Sequence, residues 1–220
     1  MKLIVANLKM YLKTLKEVEK YQKDMEKYKN DFVVAPQNIY LGNFINKGYT
    51  VSAQNSSDEE ESHTGEISPY SLSDLKVKYT LIGHAEIRKK YPEEIKYISK
   101  KIEKAIDNGL TAILCVGEKN INNTLEEIEK QLENILPNDN LIISYEPVWA
   151  IGGNLIPEKE TIEKIIKYIK NKGHKKVLYG GSINENNIKD LNKINSIDGF
   201  LIGSSAYNTD KLKKIIEVVK

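Results

Sequence analysis

The sequence predicts an α/β fold of parallel strands and intervening helices, on three observations. Short apolar runs alternate with longer helical patterns, the alternation recurs about eight times, and most runs are continuously apolar rather than alternating. Continuous apolar strands suit a parallel sheet buried on both faces.

The first run is KLIVAN at 2–7, followed by LKEVEKYQKDMEKY at 15–28, whose apolar residues fall three and four apart as on a helix face. DFVVAP at 31–36, YTVSAQ at 49–54 and YTLIG at 79–83 read as the next three strands. EEIKYISKKIEKAIDNG at 93–109 has helical spacing and closes on Gly109, a usual helix stop. TAILCVG at 111–117 is the fifth strand, TLEEIEKQLENI at 124–135 a further helix, and LIISYE at 141–146 the sixth strand. PEKETIEKIIKYIKNKG at 157–173 opens with Pro157, suited to a first helical turn, and closes on Gly173. KVLYG at 176–180 and GFLIG at 199–203 complete the strands. Such a series fits either a closed (β/α)8 barrel or an open doubly wound sheet, and the count does not choose. No Gly-x-Gly-x-x-Gly follows the first strand, which weakens the dinucleotide-binding open sheet. Without a linker or composition shift, residues 1–220 read as one domain.

Composition narrows the function classes. A 40% apolar and 29% charged chain with a net charge of +2 reads as an ordinary globular protein. Lys and Glu are interspersed along helix faces, as at 17–29, so no basic face for nucleic acid or membrane is expected. The one cysteine, Cys115, excludes an internal disulfide, and three separated histidines give no support for a structural zinc site. No apolar run approaches the roughly 18 residues of a bilayer span. MKLIVANLKM at the start lacks the length and cleavage site of a signal peptide, so a cytoplasmic protein is expected.

The strand ends carry the chemistry, since a barrel collects function in the loops at its strands' C-terminal ends. The first strand ends in Asn7-Leu8-Lys9, the fourth in Gly83-His84-Ala85-Glu86, and the sixth in Tyr145-Glu146-Pro147. A carboxylate and an imidazole can move a proton beside a carbonyl while a lysine holds the charge that develops. Singly, His84 reads as a hydrogen-bonded strand end, Glu146 as a salt-bridge partner and Lys9 as surface; their joint placement makes them candidates. The seventh strand leads into Gly180-Gly181-Ser182 and the eighth into Gly203-Ser204-Ser205. Small residues ahead of a helix let backbone N–H groups approach a phosphate, although tight turns use the same residues. Pro147 to Gly153 is apolar and carries Trp149, fitting either packing into the core or a lid that excludes water.

Together these motifs resemble the triosephosphate isomerase family from residue 2 to about 207. The most specific is Tyr145-Glu146-Pro147-Val148-Trp149-Ala150-Ile151-Gly152, backed by Asn7-x-Lys9, Ala53-Gln54-Asn55, Thr64-Gly65-Glu66, Gly83-His84-x-Glu86, Cys115-Val116-Gly117-Glu118, Tyr179-Gly180-Gly181-Ser182 and Asp198–Gly203. The resemblance implies a single-domain (β/α)8 barrel, shorter than usual, that interconverts dihydroxyacetone phosphate and glyceraldehyde 3-phosphate in glycolysis and gluconeogenesis without a cofactor. It implies Glu146 as the base, His84 as the imidazole polarising the carbonyl, Lys9 and Asn7 facing the substrate oxygens, and Glu86 as a supporting carboxylate. Gly152, Ser182, Gly203 and Ser204 match the phosphate positions. The segment from Asn55 to Ile67 resembles a loop that enters a neighbouring subunit, with Thr64 at its tip, and implies a homodimer.

Leu8, Ala85, Ile87 and Ser204 replace the Trp, Ser, Arg and Gly usual in the family, and Ala85 removes a hydroxyl near Glu146. The stretch from Gly153 reaches Pro157 about two residues early, which implies altered lid closure. These departures raise the alternative of a catalytically impaired barrel that only binds a sugar phosphate.

Overall fold

A computed structural model describes residues 2–59, 61–150 and 156–220. Its strands are β1 (Leu3–Asn7), β2 (Val33–Ala35), β3 (Thr50–Ala53), β4 (Tyr79–Ile82), β5 (Thr111–Val116), β6 (Leu141–Tyr145), β7 (Val177–Tyr179) and β8 (Gly199–Ile202). Every neighbouring pair is parallel, and β8 returns to pair with β1, Leu3 standing opposite Gly199 and Ala6 opposite Ile202. The sheet is therefore a closed barrel, which decides between the two architectures left open by the strand count. All eight expected strands form.

Around it lie α1 (Leu15–Met25), α2 (Leu41–Ile45), α3 (Pro69–Asp74), α4 (Ala85–Lys90), α5 (Ile98–Asp107), α6 (Thr124–Leu132), α7 (Lys159–Asn171), α8 (Ile188–Asn192) and α9 (Thr209–Val219). Helix α1 starts on a capping box: the Glu17 N–H donates to Oγ1 of Thr14, and the Thr14 N–H donates to the Glu17 carboxylate. The helix expected over 93–109 is divided, because Pro92 opens a 3-10 stretch, Pro92–Tyr97, and α-helix begins only at Ile98. Pro157 stands ahead of the cap residue Glu158 rather than in the first turn of α7. Gly109 and Gly173 end α5 and α7 at φ +79° and +98°, left-handed values that glycine adopts without strain.

The apolar residues divide by strand parity. Val5, Val33, Leu81, Ile113, Ile142, Leu178 and Leu201 form the cluster that fills the barrel, with Cys115 among them. The alternate residues, such as Ile4, Val51, Ile143 and Phe200, pack under Val18, Ile102, Ile166 and Ile216 of the helices in a second cluster. Each fully buried aliphatic side chain contributes on the order of 1.5–3 kcal/mol through area removed from water. No described helix is long and apolar enough to cross a membrane.

Candidate active site

Inward parity continues past each strand end, so the last inward residues rise from the packed interior to the rim. On β6 the sequence Ile142, Ser144, Glu146 runs along this face, and Glu146 arrives buried, with only 3% of its surface exposed. Two glycines admit it. A Cβ on Gly117 would stand 1.8 Å from the Glu146 carbonyl oxygen, and one on Gly180 would stand 2.6 Å from Glu146 Cγ. The Glu146 N–H donates to Val116 O at 2.7 Å, locking the strand end.

His84 sits on the rim of β4 and caps α4. The Glu86 N–H donates to Nδ1 of His84 at 3.3 Å, so a neutral ring carries its proton on Nε2. That Nε2 lies 3.3 Å from Oε2 of Glu146. The carboxylate's other oxygen, Oε1, accepts from the Ser144 hydroxyl at 3.2 Å.

Lys9 comes from β1 with φ +45°, a left-handed conformation costly for a residue with a side chain. It is held there because its N–H donates to Oδ1 of Asn7 at 3.0 Å while Gln54 Nε2 donates to its carbonyl at 2.9 Å. The Lys9 ammonium reaches Oε1 of Glu86 at 2.6 Å, and Oε2 of Glu86 lies 3.8 Å from His84 Nδ1. Burial pushes the Glu86 pKa up, but the hydrogen bond and charge of Lys9, helped by His84, outweigh it and leave it below the usual carboxylate value. A Cβ on Gly203 would lie 3.6 Å from Lys9 Cε, so the end of β8 adjoins the lysine.

Thus the structure brings Asn7, Lys9, His84, Glu86 and Glu146 together, with Gly203 beside them. Ser182 has φ +41°, and its hydroxyl donates to Ala150 O, joining the turn after β7 to the segment after β6. The Ser205 hydroxyl donates to Ile183 O at 2.9 Å, so the turns after β7 and β8 are also joined. Ser204 is exposed beside Gly203. Gly152 lies outside the described residues, as does Gly153 of the expected lid. The helices after these turns begin only at Ile188 and Thr209, so Ser182 and Gly203–Ser204 offer turn backbone rather than the first turn of a helix.

Sequence reasoning gave no role to two polar residues, Glu118 and Ser144. Glu118 is fully buried and accepts from the Trp149 indole N–H at 2.7 Å and the Tyr145 hydroxyl at 3.1 Å. Trp149 is thereby fastened to the end of β5, which bears out the packing reading of the indole. The signal was an acidic residue directly after an apolar strand. Cys115 lies in the interior, and burial followed by the nearby Glu146 charge pushes its thiol pKa up, so it stays protonated. Arg88 spans the two strand ends, donating from Nε to Gly83 O at 2.6 Å and from Nη2 to Cys115 O at 2.9 Å. A cavity of 870 Å³ runs from Glu146 and Cys115 past Ala85 and Arg88 to Ile98 and Gln131 on the helical layer. No group of three or more His, Cys, Asp or Glu that could hold a metal occurs among the described residues.

A closed parallel barrel with polar side chains gathered at the carboxyl ends of its strands has the architecture of a (β/α)8-barrel enzyme. The family model described as triosephosphate isomerase matches residues 2–219. The chain is 37% identical over 206 residues to the triosephosphate isomerase of Mycoplasmopsis agalactiae, covering 85% of this chain and 78% of that protein. It is 39% identical over 196 residues to that of Wolbachia pipientis wMel, covering 86% and 78%, and 36% identical over 191 residues to that of Thermodesulfovibrio yellowstonii, covering 79% and 78%. The chain therefore belongs to the triosephosphate isomerase family.

Proposed function

We propose that the chain interconverts dihydroxyacetone phosphate and D-glyceraldehyde 3-phosphate by moving a proton between two adjacent carbons through an enediolate. The observation that carries this mechanism is the pairing of Glu146 Oε2 with His84 Nε2 at 3.3 Å on the rim of the barrel. Glu146 takes the proton beside the carbonyl, and the Nε2–H of His84 polarises the carbonyl oxygen. The acid is weak, so the enediolate forms only where its charge is balanced as it develops. The Lys9 ammonium supplies that balance, with Asn7 beside it, and Glu86 holds Lys9 in place. Backbone N–H groups at Gly152, Ser182, Gly203 and Ser204 receive the phosphate, and the reaction needs no cofactor.

The active unit in this reading is a homodimer of single-domain chains, 1–220, in the cytoplasm. The loop from Asn55 to Ile67 supports this reading. Its base is closed by the Ser57 N–H donating to Ile67 O at 2.9 Å, Asp58 and Glu59 bind Lys100 on α5, and Thr64 is exposed at its tip.

A coupled isomerase assay on purified protein tests the activity in both directions. Glu146→Asp and His84→Ala should each lower turnover at least about 100-fold while the far-ultraviolet dichroism stays native. Normal rates in both variants, or none in the parent protein, would defeat the assignment.

A further inference from the structure

We propose that Ser144 is a positioning residue for the base, holding the Glu146 carboxylate turned so that one chosen oxygen meets His84. This rests on the reading of Glu146 as the base. Ser144 lies on β6 one inward position below Glu146, opposite Cys115 of β5 and Leu178 of β7, both in the apolar filling of the barrel. It is fully buried. A hydroxyl in such a layer costs free energy unless it is hydrogen-bonded, and among the described residues its one partner beyond its own strand backbone is Oε1 of Glu146 at 3.2 Å. With Oε1 occupied, Oε2 is the oxygen left to face His84 Nε2.

Two further features point the same way. Gly180 leaves open the space the carboxylate and this hydroxyl share, since a Cβ there would lie 2.6 Å from Glu146 Cγ and 3.2 Å from Ser144 Oγ. Ala85, the residue after His84 that borders the same cavity as Glu146, has a methyl side chain with no hydrogen to donate.

The test compares Ser144→Ala with Ser144→Thr, which keeps the hydroxyl. In the alanine variant turnover should fall about tenfold with KM within about twofold. The threonine variant should restore turnover. A crystal structure of Ser144→Ala should show the carboxylate turned away from His84. Unchanged turnover in Ser144→Ala would overturn the proposal. So would a fall in turnover that tracks a lower melting temperature and is not restored by threonine. Absence of isomerisation in the parent protein would defeat the reading of Glu146 as the base, whereas a Ser144→Ala structure with the carboxylate still against His84 would defeat the positioning role alone.

Discussion

An added Cβ at Gly180 would stand 2.6 Å from Glu146 Cγ and 3.2 Å from its carboxyl carbon, inside any ordinary contact distance. Gly180→Ala should therefore push the carboxylate off His84, lowering turnover about 100-fold, with a stability loss of about 1–3 kcal/mol from overpacking. Assay and thermal melting together check this; a variant with parental turnover would show that the base tolerates displacement. Of the polar residues here, Asn7, Lys9, His84, Glu86 and Glu146 were legible because they stand at the ends of three strands, β1, β4 and β6. Ser144 and Glu118 were not. A serine inside LIISYE reads as a neutral interruption, and a glutamate after a strand reads as surface until the fold buries it against Trp149.

The strands were legible element by element because burial on both faces leaves continuous apolar runs such as Leu141–Ile143 and Leu201–Ile202. Short helices were not. Helices α2 and α8 have five residues each, α3 and α4 six, and fewer than two turns cannot display a 3.6-residue period. The connection from α7 into β7 carries a further consequence. His174 there is buried, its Nδ1 has no partner among the described residues, and burial lowers its pKa below the usual 6.5. With its folded-state pKa depressed, the unfolded chain binds the extra proton first, so this residue's share of stability is full above about pH 6.5 and lost as pH falls through the folded value. His174→Leu should flatten the fall in melting temperature between about pH 7 and pH 5. Equal slopes in both proteins would remove His174 as the cause.

At the scale of the whole molecule, strand count was legible in the apolar runs but closure only through the family resemblance, because the pairing of β8 with β1 joins the two ends of the alternation rather than any two neighbours. The proposed assembly beyond the single chain rests on the loop between Asn55 and Ile67. Its base is closed by the Ser57–Ile67 hydrogen bond, so its tip can be shortened without disturbing the barrel. The full chain should sediment as a dimer, and a chain with residues 59–65 replaced by two glycines as a folded monomer; a dimer from both would place the interface elsewhere. The pairing of β1 with β8 also bears on how the molecule is made. A ribosome must deliver Ile202 before the ring can shut, and until then the nascent sheet keeps two bare edges able to recruit foreign strands. Lys9 gains Gly203 as its neighbour only when β8 joins β1, so the rim around it is complete only once the ring has shut.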